Sequence, residues 1–121
     1  MNFLWVFLGG GLGSCLRYLI TISSNRVLHD FPLGTVIANL AGTFLIGLGS
    51  VIITEKQVFH IIRPFFLVGF LGGLTTFSTF ANESFILVKE KEYLFFYLYL
   101  SLNLVLGFMA LVLGRFLARV V

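Results

Sequence analysis

Four long apolar stretches, parted by short polar breaks, set the solvent in which this sequence can fold. A membrane-spanning helix needs about 20 consecutive, mostly apolar residues. Stretches of that kind run over about 3–23, 33–54, 63–88 and 93–118. The first break, Ser24 to Pro32, carries Asn25, Arg26, His29 and Asp30; the second is Glu55-Lys56-Gln57; the third is Lys89-Glu90-Lys91-Glu92. Arg63-Pro64 opens the third stretch, and proline suits the first turn of a helix because its missing N–H would be unpaired there. The expected fold class is an all-α integral membrane protein. Its four transmembrane helices make a single domain, 1–121, with both termini on one side and no room for a soluble domain.

Composition closes off the alternatives. The chain is 59% hydrophobic and 11% charged, where a soluble domain is about 45–50% apolar and about 25% charged. Five acids and eight bases cannot clothe a soluble fold, and disorder needs the opposite balance. A soluble enzyme is therefore excluded. The net charge of +3 does not signal nucleic acid, because the bases flank the spans and form no basic stripe. A lone cysteine, Cys15, permits no internal disulfide and leaves the redox compartment undefined. Leu12-Gly13-Ser14-Cys15 has the look of a lipoprotein cleavage box. Met1 to Val6 carries no Lys or Arg, however, and the apolar stretch continues past Cys15, so a retained first span is expected.

Orientation in a membrane follows the bases near span ends. Lys56, Arg63, Arg115 and Arg119 fall on the side of the termini, and Arg17, Arg26, Lys89 and Lys91 on the other. An even split gives the chain no preferred orientation. It points either to insertion both ways, with antiparallel self-pairing, or to an orientation set by something other than these bases.

Polar groups at membrane depth are costly and become functional candidates by default. Arg17, late in the first span, either snorkels to the interface or draws an anion to a pore mouth. Asn39, in the middle of the second span, must find partners for two donors and a carbonyl; it either joins two helices or lines a pore. The third span is richest. Gly69-Phe70-Leu71-Gly72-Gly73-Leu74-Thr75-Thr76-Phe77-Ser78-Thr79-Phe80 sets a glycine pair and four hydroxyls within the membrane. Paired glycines weaken a helix, and hydroxyls offer its backbone other bonds, so either a break falls near Gly72 to Thr75 or the glycine pair only permits close packing. Carbonyls freed by a break must be buried in protein or hold a cation.

Phe77, Phe80 and Glu83 succeed one another at three-residue spacing and share a helix face. Aromatic ring edges are positive and can solvate an anion without trapping it, although fifteen phenylalanines also serve as core. In the fourth span Tyr97 and Ser101 share a face, Asn103 lies elsewhere, and Tyr93, Tyr97 and Tyr99 also fit an interfacial aromatic belt. Gly9-xxx-Gly13 and Gly69-xxx-Gly73 carry the small-residue spacing that lets helix backbones approach closely in lipid. Gly9 to Ser14 is no nucleotide-binding loop, since no strand precedes it. Asn82-Glu83-Ser84 is a glycosylation sequon placed too deep for modification.

These residues resemble the Fluc-type fluoride channels, the CrcB family, over nearly the full length. Gly10 to Tyr18 resembles the family's first-span motif of glycines followed by Arg-Tyr. Gly34-Thr35 to Asn39, with Gly42 and Gly47 beyond, resembles the second-span motif. Gly72 to Phe80 resembles the specific third-span core, Gly-Gly-x-Thr-Thr-Phe-Ser-Thr-Phe. The resemblance implies an antiparallel, dual-topology dimer in the cell membrane with two pores and passive fluoride export. It implies a structural Na⁺ at the dimer centre, held by the backbone carbonyls of Gly72 and Thr75 at the break in the third helix. Phe77 and Phe80 would line the pore, with Asn39 donating to fluoride and Thr76, Ser78 and Thr79 supplying hydroxyls. Glu83 stands where the family carries an acid, Tyr97 and Ser101 extend a polar track, and Arg17 sits near a vestibule. The partners implied are fluoride, membrane lipid and a second copy, or a paralogue in a heterodimer. The rival class is a small multidrug-type exporter coupled to protons. It needs a carboxylate in the first membrane helix, and the first two spans have none.

Overall fold

The computed structural model describes residues 2–24, 31–55 and 61–120. Arg26 and Lys56, two of the bases in the orientation argument, lie outside them, as do Asn25, His29, Asp30 and Gln57. The described residues form four helical rods long and apolar enough to cross a membrane, and no strand. The first helix is Asn2–Ser24 and the second Leu33–Glu55. The third span, Arg63–Lys89, is composite. Its start, Arg63–Leu71, is wound as a wide-turn π-helix with Pro64 in the first turn; Gly72–Leu74 is α-helical, and a further α-helix covers Phe77–Lys89. The fourth span runs Tyr93–Val120 and contains a π-wound turn at Leu102–Leu106. Helix ends fall within two residues of the stretches read from hydropathy. Lys91, at φ 63°, turns the chain between the third and fourth spans.

Glycines set the packing. The first span lies on the beginning of the third, and the two small-residue motifs interlock. A methyl on Gly9 would strike the Phe65 carbonyl, one on Gly13 the Phe70 carbonyl, and one on Gly69 would sit 2.8 Å from the Val6 carbonyl oxygen. The second span lies on the end of the fourth in the same manner, with Gly47 against the Leu111 carbonyl and Gly114 against that of Phe44. Backbones in such contact exclude side chains, so the association draws on van der Waals packing, as membrane helices require.

Two small cores result. One gathers Phe31, Val36, Phe80, Leu87 and Tyr99; the other gathers Ala38, Leu71 and Leu74. Most large apolar side chains point outward, among them Phe3, Phe7, Leu94, Phe108 and Phe116. Water would penalise so much apolar surface at roughly 25 cal/mol per Å², whereas lipid or a partner helix accepts it.

Candidate functional site

Two residues of the third span leave helical geometry. Thr75 has φ −79°, ψ 152°, and Thr76 has φ −150°, ψ 123°, both extended. The glycines just before them stay helical: Gly72 has φ −65°, ψ −35°, and Gly73 lies within the same turn. What turns the chain is a set of competing hydrogen bonds. The Thr76 N–H donates to Asn39 Oδ1 at 2.8 Å, and Asn39 Nδ2 donates back to the Thr76 carbonyl at 3.2 Å. One side-chain amide thus holds both groups of one residue. The Thr76 hydroxyl caps the following helix by accepting from the Thr79 N–H at 3.2 Å, as an N-cap threonine does. The same oxygen donates to Thr79 Oγ1 at 3.0 Å and lies 3.3 Å from Ser78 Oγ.

These diversions decide which carbonyls lose their partners. In a continuous helix each carbonyl accepts from the N–H four residues on. Gly72 would receive from Thr76, whose N–H goes to Asn39; Thr75 would receive from Thr79, whose N–H goes to the Thr76 hydroxyl. The Gly73 carbonyl is taken instead by Arg17 Nε at 3.1 Å. Arg17 therefore neither snorkels freely nor stands alone: it ties the first span to the third, just before the two extended residues. Thr75 keeps its own turn intact, with N–H and hydroxyl both donating to the Leu71 carbonyl, at 3.0 and 2.9 Å.

Asn39 connects onward. Its Nδ2 also donates to Asn103 Oδ1 at 2.8 Å, and Asn103 Nδ2 donates to the Tyr99 carbonyl at 3.0 Å. Tyr99 sends its phenol to Glu83 Oε2 at 2.6 Å. A polar circuit thus runs from the third span through the second and fourth and back to the third. Asn103 and Tyr99 carry it, yet neither stood out as a site residue in the sequence. The available signal was Asn103 itself, an amide at membrane depth that must find partners.

The two phenylalanines of the motif part company. Their ring centroids are 5.6 Å apart, but Phe80 is buried, 7% exposed, with its ring 5.3 Å from that of Tyr99. Phe77 is 76% exposed and projects from the chain. Ser78, Tyr97 and Ser101 are exposed as well, and Ser101 returns its hydroxyl to the Tyr97 carbonyl at 2.8 Å. Within one chain, then, Phe80 is buried and Asn39, Thr76, Thr79 and Glu83 are half-buried, while Phe77, Ser78, Tyr97 and Ser101 face outward.

Four apolar spans with a satisfied polar circuit across three of them define a multi-pass protein of the cell membrane. Residues 4–115 match the family described as CrcB-like protein, Camphor Resistance (CrcB), and the chain belongs to that family. It is 44% identical over 118 residues to a protein of Hydrogenobaculum sp. (strain Y04AAS1), with 97% of each chain covered. It is 44% identical over 112 residues to one of Desulfotalea psychrophila, covering 91% of this chain and 88% of that one. A protein of Phocaeicola vulgatus is 43% identical over 114 residues, 93% of this chain and 94% of its own. Each of the three is named fluoride-specific ion channel FluC.

Proposed function

We propose that this chain is a fluoride-selective channel that lets fluoride leave the cytoplasm down its gradient. It works as an antiparallel homodimer with two pores and a sodium ion at the dimer centre. The observation that carries the reading is the Phe77–Phe80 ring pair beside a hydroxyl cluster, in a chain whose relatives along nearly their whole length are named fluoride channels. Fluoride surrenders its water at high cost. A narrow pathway must return that hydration through weak donors, while binding loosely enough for the ion to leave. Ring edges at Phe77 and Phe80, hydroxyls at Thr76, Ser78 and Thr79, and the Asn39 amide are donors of this kind, joined on the fourth span by Tyr97 and Ser101. Both hydrogens of Asn39 Nδ2 are engaged within the chain, so its contact with fluoride exchanges one present acceptor for the anion. Glu83, held by Tyr99, bounds the pathway, and Arg17 supplies positive charge at its vestibule.

The outward position of Phe77, Ser78, Tyr97 and Ser101 supports a pathway completed by a second copy. The carbonyls of Gly72 and Thr75 suit the sodium ion. Both lose their helical donors, and unwound backbone carbonyls are a known setting for Na⁺ in membrane proteins. Bound there, the ion would take the place of the hydrogen-bond donors these two carbonyls lack. No finding favours a proton-coupled multidrug exporter. The test in cells is growth: this chain alone should restore growth in millimolar-range fluoride to bacteria stripped of their own fluoride exporters. Continued sensitivity, with the protein present in the membrane, would contradict the reading.

A further inference from the structure

We infer that Asn103 is a positioning residue for the two extended residues of the third span. By accepting from Asn39 it fixes the amide that holds both backbone groups of Thr76, and so helps to hold that residue out of helical geometry ahead of the Phe77–Lys89 helix. The inference takes the hydrogen bonds as they stand; only its consequence for flux rests on the channel reading.

The polarity of the circuit leaves one arrangement. The Thr76 N–H can only donate, so the Asn39 atom that meets it is the oxygen. Asn39 therefore turns its nitrogen to the Thr76 carbonyl and to Asn103, and the Asn103 atom that receives it is Oδ1. That leaves Asn103 its nitrogen, which meets the Tyr99 carbonyl. Reversing either amide would set donor against donor and acceptor against acceptor. Each asparagine thus fixes the other's orientation. Tyr99, the anchor at the far end, is fully buried, with its phenol on Glu83 and its ring against Phe80. With Asn103 gone, one Asn39 hydrogen has no acceptor in an apolar surrounding, and the amide is free to turn away from Thr76. The Thr76 N–H then loses its partner.

Amide exchange at Thr76, in the full chain in lipid nanodiscs, reads this directly and independently of ion flux. Asn103→Leu removes the acceptor and should speed exchange at Thr76 by about tenfold, the size of effect expected when one hydrogen bond in the membrane is lost. Amides near Leu87 should stay as in the parent chain. Asn103→Asp is the rescue: a carboxyl at this depth takes up a proton and then offers one acceptor and one donor, as asparagine does, so exchange should stay within about twofold of the parent. Asn103→Ser, too short to reach Asn39, stands in for the leucine variant if that chain does not assemble. Unchanged exchange at Thr76 in the leucine or serine variant would overturn the inference. So would equal acceleration in the aspartate variant, which would make the effect one of packing. On the channel reading, fluoride flux should fall in the leucine variant and return in the aspartate variant. A parent chain that passes no fluoride would defeat that reading while leaving the exchange result to judge Asn103.

Discussion

Tyr99 and Glu83 are joined across two spans by a hydrogen bond of 2.6 Å, with the tyrosine fully buried and the glutamate half-buried. The contact closes the fourth span on the helix that carries Phe80. The Tyr99 ring packs on Phe80 while its hydroxyl holds an acid one turn further along the same helix. Ring and acid are thus positioned by one side chain.

A double-mutant cycle of Tyr99→Phe and Glu83→Ala should therefore give a coupling free energy of about 0.6–1.7 kcal/mol, the range for hydrogen bonds between membrane helices. Unfolding in mixed detergent micelles measures it. Additive costs would mean that the two side chains do not support one another.

Gly13→Ala should destabilise the chain by about 1–3 kcal/mol, because its methyl overlaps the Phe70 carbonyl and must push two backbones apart. Gly11→Ala, two residues away, meets nothing within 4 Å and should leave unfolding nearly unchanged. Equal effects would break the claim that one face of the first helix is in backbone contact with the third span.

Phe77→Ile and Phe80→Ile should both cut fluoride flux sharply, with different effects on stability. Phe80 lies in the core beside Tyr99, so its loss should cost about 1–2 kcal/mol through the lost ring pair and a residual void. Phe77 stands outside the chain's own core and should cost little in the unfolding of a single chain. Flux near the parent level in either variant would remove that ring from the pathway.

Replacing sodium by a large organic cation should lower the unfolding temperature and the dimer fraction, because an ion that binds only the folded dimer stabilises it by mass action. Gel filtration and thermal unfolding, with and without sodium at constant ionic strength, check this. Independence from sodium would dismiss Gly72 and Thr75 as its ligands.

The four spans were legible in the sequence because bilayer thickness turns directly into a run of apolar residues. The glycine spacing was legible too: Gly9 and Gly13 do meet the stretch that holds Gly69 and Gly73. The departure of Thr75 and Thr76 from helical geometry was legible only in outline. The glycine pair drew attention to it, yet Gly72 and Gly73 stay helical and the departure falls at Thr75 and Thr76. Its cause is an amide 37 positions earlier in the chain, and no local pattern records a contact of that range. Asn103 escaped for the same reason. Its partner on its own helix is a carbonyl, and its partner across the bundle is Asn39. Arg17 could be read as a cation near a membrane surface, but its bond to the Gly73 carbonyl depends on how closely the glycine faces approach.

The most direct measurement of the central claim is anion efflux from liposomes that hold the purified chain as its only protein, followed with fluoride- and chloride-selective electrodes. With a potassium ionophore added so that potassium leaves beside the anion and charge balances, the account predicts rapid fluoride release without chloride release and without an imposed proton gradient. Vesicles containing assembled dimer that retain their fluoride, or that release chloride as readily, would contradict it.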